Sequence, residues 1–235
     1  MRRWQIMMLL VAVVSLAACA APKGVHEDVK PGGFLGADAA KLEPGGPGQP
    51  AWIYVNPMTK WPSYDKMLLD PVTFWRDPGA PDQGISMTER QKLANYFYQV
   101  IYKAMSKQIT MVSTPGPGTL RVQVALTKAV PSKVGLDVIS TVVPQAVVIS
   151  SLKDAVTGKP SFVGEAAVAS KVTDAETGEL LGAWVADRIG GKQLDAAEIS
   201  TWGDVEQAMR FWADNAAYRL CKRQGKPNCV KPPQQ

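Results

Sequence analysis

Phe162-Val-Gly-Glu-Ala-Ala-Val-Ala-Ser-Lys-Val-Thr173, then Asp174-Ala-Glu-Thr-Gly178, then Glu179-Leu-Leu-Gly-Ala-Trp-Val-Ala-Asp-Arg-Ile189 is the stretch on which the fold turns. The outer runs read as strands and the middle five residues as the turn joining them. Gly178 closes that turn, where a left-handed backbone suits glycine best. A long hairpin follows, and with it an antiparallel sheet.

Upstream, Leu120, Val122, Val124 and Leu126 alternate with Arg121, Gln123 and Thr127, which is the period of a half-buried strand. Pro115-Gly-Pro-Gly118 before it reads as a turn, and Ile109 to Val112 as a short strand. Ser86-Met-Thr-Glu89 has the spacing of a capping box, and Leu93, Phe97, Val100, Ile101 and Ala104 recur behind it at helical intervals. The expected helix covers about Thr88 to Lys107. Ala51 to Asn56 is short, aromatic and β-branched, a first strand, and the Pro-, Trp- and Asp-rich residues from Pro57 to Gly84 read as a loop. Downstream, Thr201-Trp-Gly-Asp204 caps a helix on which Val205, Ala208, Met209, Trp212, Ala216 and Leu220 share one face. Strand, helix, several strands, helix is the order of an α+β fold. The expected architecture is an antiparallel sheet with two amphipathic helices packed on one face.

The chain has 235 residues, 46% hydrophobic and 20% charged, the balance of a globular protein with one core. Residues 51–235 are expected to form that single domain. Its lysines and arginines are scattered singly or in pairs rather than gathered in a stripe, so nothing favours a nucleic-acid partner.

The N-terminus gives an address. Arg2 and Arg3 form a basic region and Ile6 to Leu16 a short apolar one, too short for a permanent membrane span. Leu16-Ala-Ala-Cys19 resembles the lipobox of bacterial lipoproteins, in which the cysteine is acylated and the chain is cut just before it. Residues 1–18 are then a signal peptide, whose removal takes the formal charge from +5 to +3, and Cys19 is the lipidation site. An ordinary secretory signal with an unmodified Cys19 is the alternative. Several acyl chains anchor a protein stably where one does not. Ala20, and not the Asp that resembles an inner-membrane retention signal, follows Cys19; this points to the outer membrane, with the domain facing the periplasm. Gly and Pro crowd the residues up to Pro50, so 19–50 reads as a flexible tether, with the only histidine, His26, inside it.

Val134 to Leu152 is almost wholly apolar but is interrupted by Asp137, Pro144 and Gln145. A broken buried helix or strand, a partner surface and membrane contact all stay open for it.

Several segments resemble the DUF3313 family of Gram-negative lipoproteins, whose function is unassigned. They are Tyr64-Asp-Lys-Met-Leu-Leu-Asp-Pro71 with Phe74-Trp75, Ala94-Asn-Tyr-Phe-Tyr98, Pro115-Gly-Pro-Gly-Thr-Leu-Arg121, Phe162-Val-Gly-Glu165, Thr173-Asp-Ala-Glu-Thr-Gly-Glu-Leu180, and Trp202-Gly-Asp-Val-Glu206 with Trp212-Ala213. The resemblance runs from about Tyr64 to the last helix. It implies an envelope lipoprotein and no assigned reaction, and it carries over no catalytic residue.

Chemistry-bearing sets are sparse. A serine nucleophile needs a nearby base, and His26 sits in the tether. Zinc needs three or four ligands, while an acylated Cys19 leaves Cys221, Cys229 and His26. Asp174, Glu176 and Glu179 sit in or beside a hairpin turn, and Pro115-Gly-Pro-Gly118 lacks the Lys-Ser/Thr and helix of a phosphate loop. No catalytic residue, cofactor or metal site is therefore expected. Trp52, Tyr54, Trp61, Tyr64, Phe74 and Trp75 read first as core anchors and second as a surface that stacks sugars or a peptide. In an oxidising periplasm the two remaining thiols, Cys221 and Cys229, are expected to form a disulfide.

Three functions stay open at this point. The first is a non-catalytic binding or assembly module, held to the membrane by its lipid and working with an envelope protein. The others are a carboxylate-dependent envelope or cell-wall hydrolase, with Glu165, Asp174 and Glu176 as its groups, and a lipoprotein that binds a small ligand in a deep pocket.

Overall fold

The computed structural model describes residues 29–132, 164–189 and 201–233. The signal peptide, Cys19, His26 and Val134 to Leu152 lie outside the described residues.

Strand β6 (Thr119–Val130) is the centre of the sheet, and it pairs antiparallel with β7 (Glu165–Asp174). The expected hairpin joins β7 to β8 (Leu180–Ile189), with Glu165 opposite Ile189 and Thr173 opposite Leu180. Gly178 has φ +73°, the left-handed position read from the sequence. On the far side of β8 lies β2 (Trp52–Val55), antiparallel, and beyond it the two-residue β1 (Glu43–Pro44). The sheet is mixed, because three short strands continue it in parallel on the other side of β6, the first two paired to β6 itself and the third to the first of them. They are β3 (Lys66–Leu69), β4 (Thr73–Phe74) and β5 (Thr110–Val112). Among the described residues the order is β1-β2-β8-β7-β6-β3-β5, with β4 also paired to β6. Strands β3 and β4 fall where the sequence reads as loop.

A register shift between Leu126 and Lys128 leaves Thr127 as an extra residue. Because strand side chains alternate, this bulge moves Ala129 into the core and turns Lys128 away from it. Ala129 is fully buried, and Lys128 instead reaches Glu165 at 2.5 Å.

Helix α1 (Met87–Met105) starts with the capping box that its sequence spells. Ser86 Oγ accepts from the Glu89 N–H at 3.2 Å, and Glu89 Oε2 accepts from the Ser86 N–H at 3.2 Å. Leu93, Phe97, Ile101 and Ala104 are buried, at the spacing of one helix face. Helix α2 (Gly203–Arg223) buries Val205, Ala208, Met209, Ala213, Ala217 and Leu220. Its N-cap is Trp202, with no side-chain cap; Thr201 does not take that part, and Asp204 instead accepts the Gly164 N–H at 2.6 Å. Both helices pack on the face of the sheet that carries Leu120, Val122, Val124, Leu126, Ala166 and Val168, so the expected two-helix layer is present.

The opposite face has its own cover. A 3-10 helix, Gly33–Lys41, places Leu35 against Ala169, Leu180, Ala183 and Val185, and Leu42 joins the same cluster. The Trp52 Nε1–H donates to the Val29 carbonyl at 2.6 Å. Among the described residues, packing thus already includes Val29, Leu35 and Leu42, ahead of Ala51. Gly and Pro around Leu35 and Leu42 mask two side chains that the small alanines of β7 and β8 leave room for.

Candidate functional site

An apolar cavity of about 290 Å³ lies between α2, the inner face of α1 and the helix-facing side of the sheet. Its floor is Val122, Val124, Val168 and Val172, and its wall is Phe97, Ile101 and Met105 of α1. The lining residues on α2 run from Phe211 to Arg223, roughly 18 Å of helix at 1.5 Å per residue, so the space is elongated along that helix. Trp212 and Ala216 line it from α2; they belong to the apolar stripe read from the sequence, are partly buried, and pack against the main core, with the Trp212 ring 6.1 Å from that of Phe97.

The cavity meets solvent beside Gly48 and Gln49, its exposed lining residues, in the loop between β1 and β2. That loop is held to α2 by one hydrogen bond, from Arg219 Nη2 to the Gly48 carbonyl at 2.7 Å. One turn further along, the Arg223 guanidinium lies 5.2 Å over the Trp61 ring. Toward the other end, Arg188 of β8 stacks over Phe211 at 3.9 Å. Burial pulls all three guanidinium pKa values below the ordinary arginine value, and at Arg223 the like charge of Arg219 adds to this. All three remain cations, since arginine does not deprotonate in proteins. Arg219 and Arg223 stand in no ion pair with a described carboxylate.

The carboxylates named from the sequence lie elsewhere. Asp174 Oδ1 accepts the backbone N–H groups of Glu176 and Thr177 at 2.9 and 2.8 Å, and its Oδ2 accepts the Tyr64 hydroxyl at 2.9 Å. The Thr177 N–H is the main cause that holds Asp174 below the usual carboxylate range. Glu179 accepts from Asn56 Nδ2 at 2.8 Å, Glu165 is paired with Lys128, and Glu176 is exposed. None of the four lines the cavity; the carboxylate that does, among the described residues, is Asp187.

The aromatic set divides. Trp61 lines the cavity, whereas Trp75 meets Phe34 edge-on at 5.9 Å, Tyr64 serves Asp174, and Phe74 packs on the main core. Cys221 and Cys229 form a disulfide, with Cα atoms 5.7 Å apart. No group of three His, Cys, Asp or Glu side chains stands close enough for a metal among the described residues. The sequence reading does not single out Arg188, Arg219 or Arg223. Its available signal is Arg219 and Arg223, four residues apart on α2 and flanking Leu220, the last residue of the apolar stripe.

Fold and cavity together describe an α+β domain with a ligand-sized apolar interior space. The chain belongs to the DUF3313 family, described as proteins of unknown function, whose family model matches residues 30–216. It is similar to the uncharacterized lipoprotein YdcL of Escherichia coli strain K12 and of strain O157:H7, 28% identical to each over 142 residues. That stretch is 60% of this chain and 62% of either relative. Solved structures with a related outline include the PelC dodecamer from Paraburkholderia phytofirmans, at a TM-score of 0.38 and 9% identity, covering 75% of this chain and 96% of that one. Protein XCC0632 from Xanthomonas campestris gives a TM-score of 0.39 and 10% identity, covering 73% and 94%.

Proposed function

We propose that this chain is a lipoprotein, anchored through Cys19 to the outer membrane and facing the periplasm, whose folded domain acts by binding a small apolar ligand rather than by turnover. The observation that supports the binding reading is the cavity beneath α2, with valines below and Trp212 and Ala216 above. Its walls are mostly hydrophobic, with Ser170 on the floor, Asp187 and Arg188 on β8 and two arginines on α2 as fixed polar groups, which is the usual composition of a small-molecule site. The lipid anchor rests on the lipobox-like Leu16-Ala-Ala-Cys19 and on the likeness to a named lipoprotein. An envelope protein remains the partner class that would deliver or receive the ligand.

The test is direct titration of the purified mature protein with a neutral apolar fluorophore, N-phenyl-1-naphthylamine. Saturable binding of one probe per chain is expected, with affinity lowered roughly tenfold or more by Ala216→Phe, which places a ring in the cavity. Linear, unsaturable uptake, or uptake indifferent to that substitution, would overturn the reading. So would accumulation of a chemically altered product from the bound ligand.

A further inference from the structure

We infer that the cavity takes a single-chain amphiphile with an anionic head, the chain lying along α2 and the head between Arg219 and Arg223. This rests on the binding reading above and names the ligand class of the same site.

Shape and size fix the apolar part. An apolar protein cavity of about 150 Å³ accepts benzene, so on that scale this one holds roughly twelve carbons. A space elongated along α2 suits a flexible chain better than a compact ring system.

Charge fixes the head. Two guanidinium groups one helical turn apart repel each other and are partly desolvated, with no described carboxylate paired to either. The negative end of the α2 dipole offsets part of that cost, since both lie in the last two turns. An anion between them would offset far more, and paired guanidinium groups match the oxygens of a carboxylate or phosphate. Arg219 already spends one Nη on the Gly48 carbonyl, so its head is held at the rim beside the loop through which a ligand enters. Arg223 is placed by its own contact, with its guanidinium 5.2 Å over the Trp61 ring. Fixed cations at the open side of an apolar space read an amphiphile by its polarity, tail inward and head at the rim.

Competition against the bound fluorophore tests this. Dodecanoate and dodecyl phosphate are expected to displace it roughly tenfold or more better than dodecanol, and dodecyltrimethylammonium to be the weakest. In Arg223→Gln, which leaves the Arg219–Gly48 contact in place, the preference for the anions over dodecanol is expected to fall by about tenfold. Arg219→Gln together with Arg223→Gln is expected to abolish the preference. Lauroyl-lysophosphatidylglycerol and dodecanoate, titrated separately, distinguish a phospholipid-derived head from a free fatty acid. Equal displacement by dodecanoate and dodecanol, or an anion preference unmoved by Arg223→Gln, would overturn the inference and leave the binding reading standing. Absence of fluorophore binding in wild type would remove both.

Discussion

Tyr64 donates its hydroxyl to Asp174 Oδ2 at 2.9 Å, joining the segment before β3 to the tip of the β7–β8 hairpin 110 residues away. The contact has opposite consequences at the two ends of the pH scale. Burial first, and then the hydrogen bond to Asp174, pushes the Tyr64 pKa up to about 12. A folded-state value above the unfolded one means the contribution is fully present below about pH 10 and is lost as pH rises toward 12. Asp174 is shifted downward, chiefly by the Thr177 N–H, so its contribution is present above the unfolded carboxylate value and is lost as pH falls through the folded one.

Tyr64→Phe is therefore expected to lower stability at neutral pH by about 1 kcal/mol, the worth of one hydrogen bond, and to flatten the alkaline limb between pH 10 and 12. Asp174→Asn should flatten the acid limb and leave the alkaline one steeper than Tyr64→Phe does. Urea midpoints measured across the pH range check both. An alkaline limb identical in wild type and Tyr64→Phe would refute the assignment of Tyr64.

Legibility followed the range of the interactions. The β7–β8 hairpin and the Ser86–Glu89 box are local: a turn glycine and a reciprocal cap are written within a few neighbouring residues, and both stand where the sequence puts them. The apolar stripes of both helices were equally plain. Strands β3 and β4 were not, because four- and two-residue strands in a Pro-rich stretch carry no usable period, and their parallel partner β6 lies tens of residues downstream. The burial of Leu35 and Leu42 depends on alanines more than 120 residues away, which no local pattern announces. The cavity was illegible for another reason. A stripe of apolar residues says which face of α2 turns inward and nothing about how closely it approaches the sheet.

The Cys221–Cys229 bond ties the last turn of α2 to the tail that follows it, and residues of the loop it closes also hold the neighbouring elements. Gln224 Nε2 donates to the Tyr64 carbonyl at 2.7 Å, and Lys226 Nζ to the Gln108 carbonyl. Replacing both cysteines by serine is expected to lower stability by about 2 to 3 kcal/mol, by the loop-entropy estimate, and to leave the fold intact. Chemical denaturation with far-UV circular dichroism checks it. Loss of secondary structure in native buffer would show instead that the bond is needed for folding.

The position of Cys19 makes a separate prediction about the anchor. Cys19→Ser should remove acyl label and release the protein from membranes, or leave it as uncleaved precursor, since serine has no thiol to carry a lipid group by a thioether and stable attachment needs more than one acyl chain. Metabolic labelling with a clickable fatty acid, followed by fractionation, reads both. Unchanged label and unchanged fractionation would sink the anchor, and separation of inner from outer membrane tests the finer address.

Stability and binding should move in opposite directions at Ala216. Most enlargements in a packed core strain it, at about 1 to 3 kcal/mol. Ala216 faces a space of about 290 Å³ and is only partly buried, so a larger side chain there has room to pack against Val122, Val168 and Phe97. Filling of this kind contributes about 0.5 to 2 kcal/mol. Ala216→Phe is accordingly expected to raise the melting temperature of the ligand-free protein by several degrees while weakening binding of the fluorophore. A structural void with no ligand would show the first effect without any binding to lose, and a tightly packed site would show a fall in melting temperature. The two measurements on one variant thus distinguish a binding cavity from both, because an interior kept open against its own stability is what a ligand site requires.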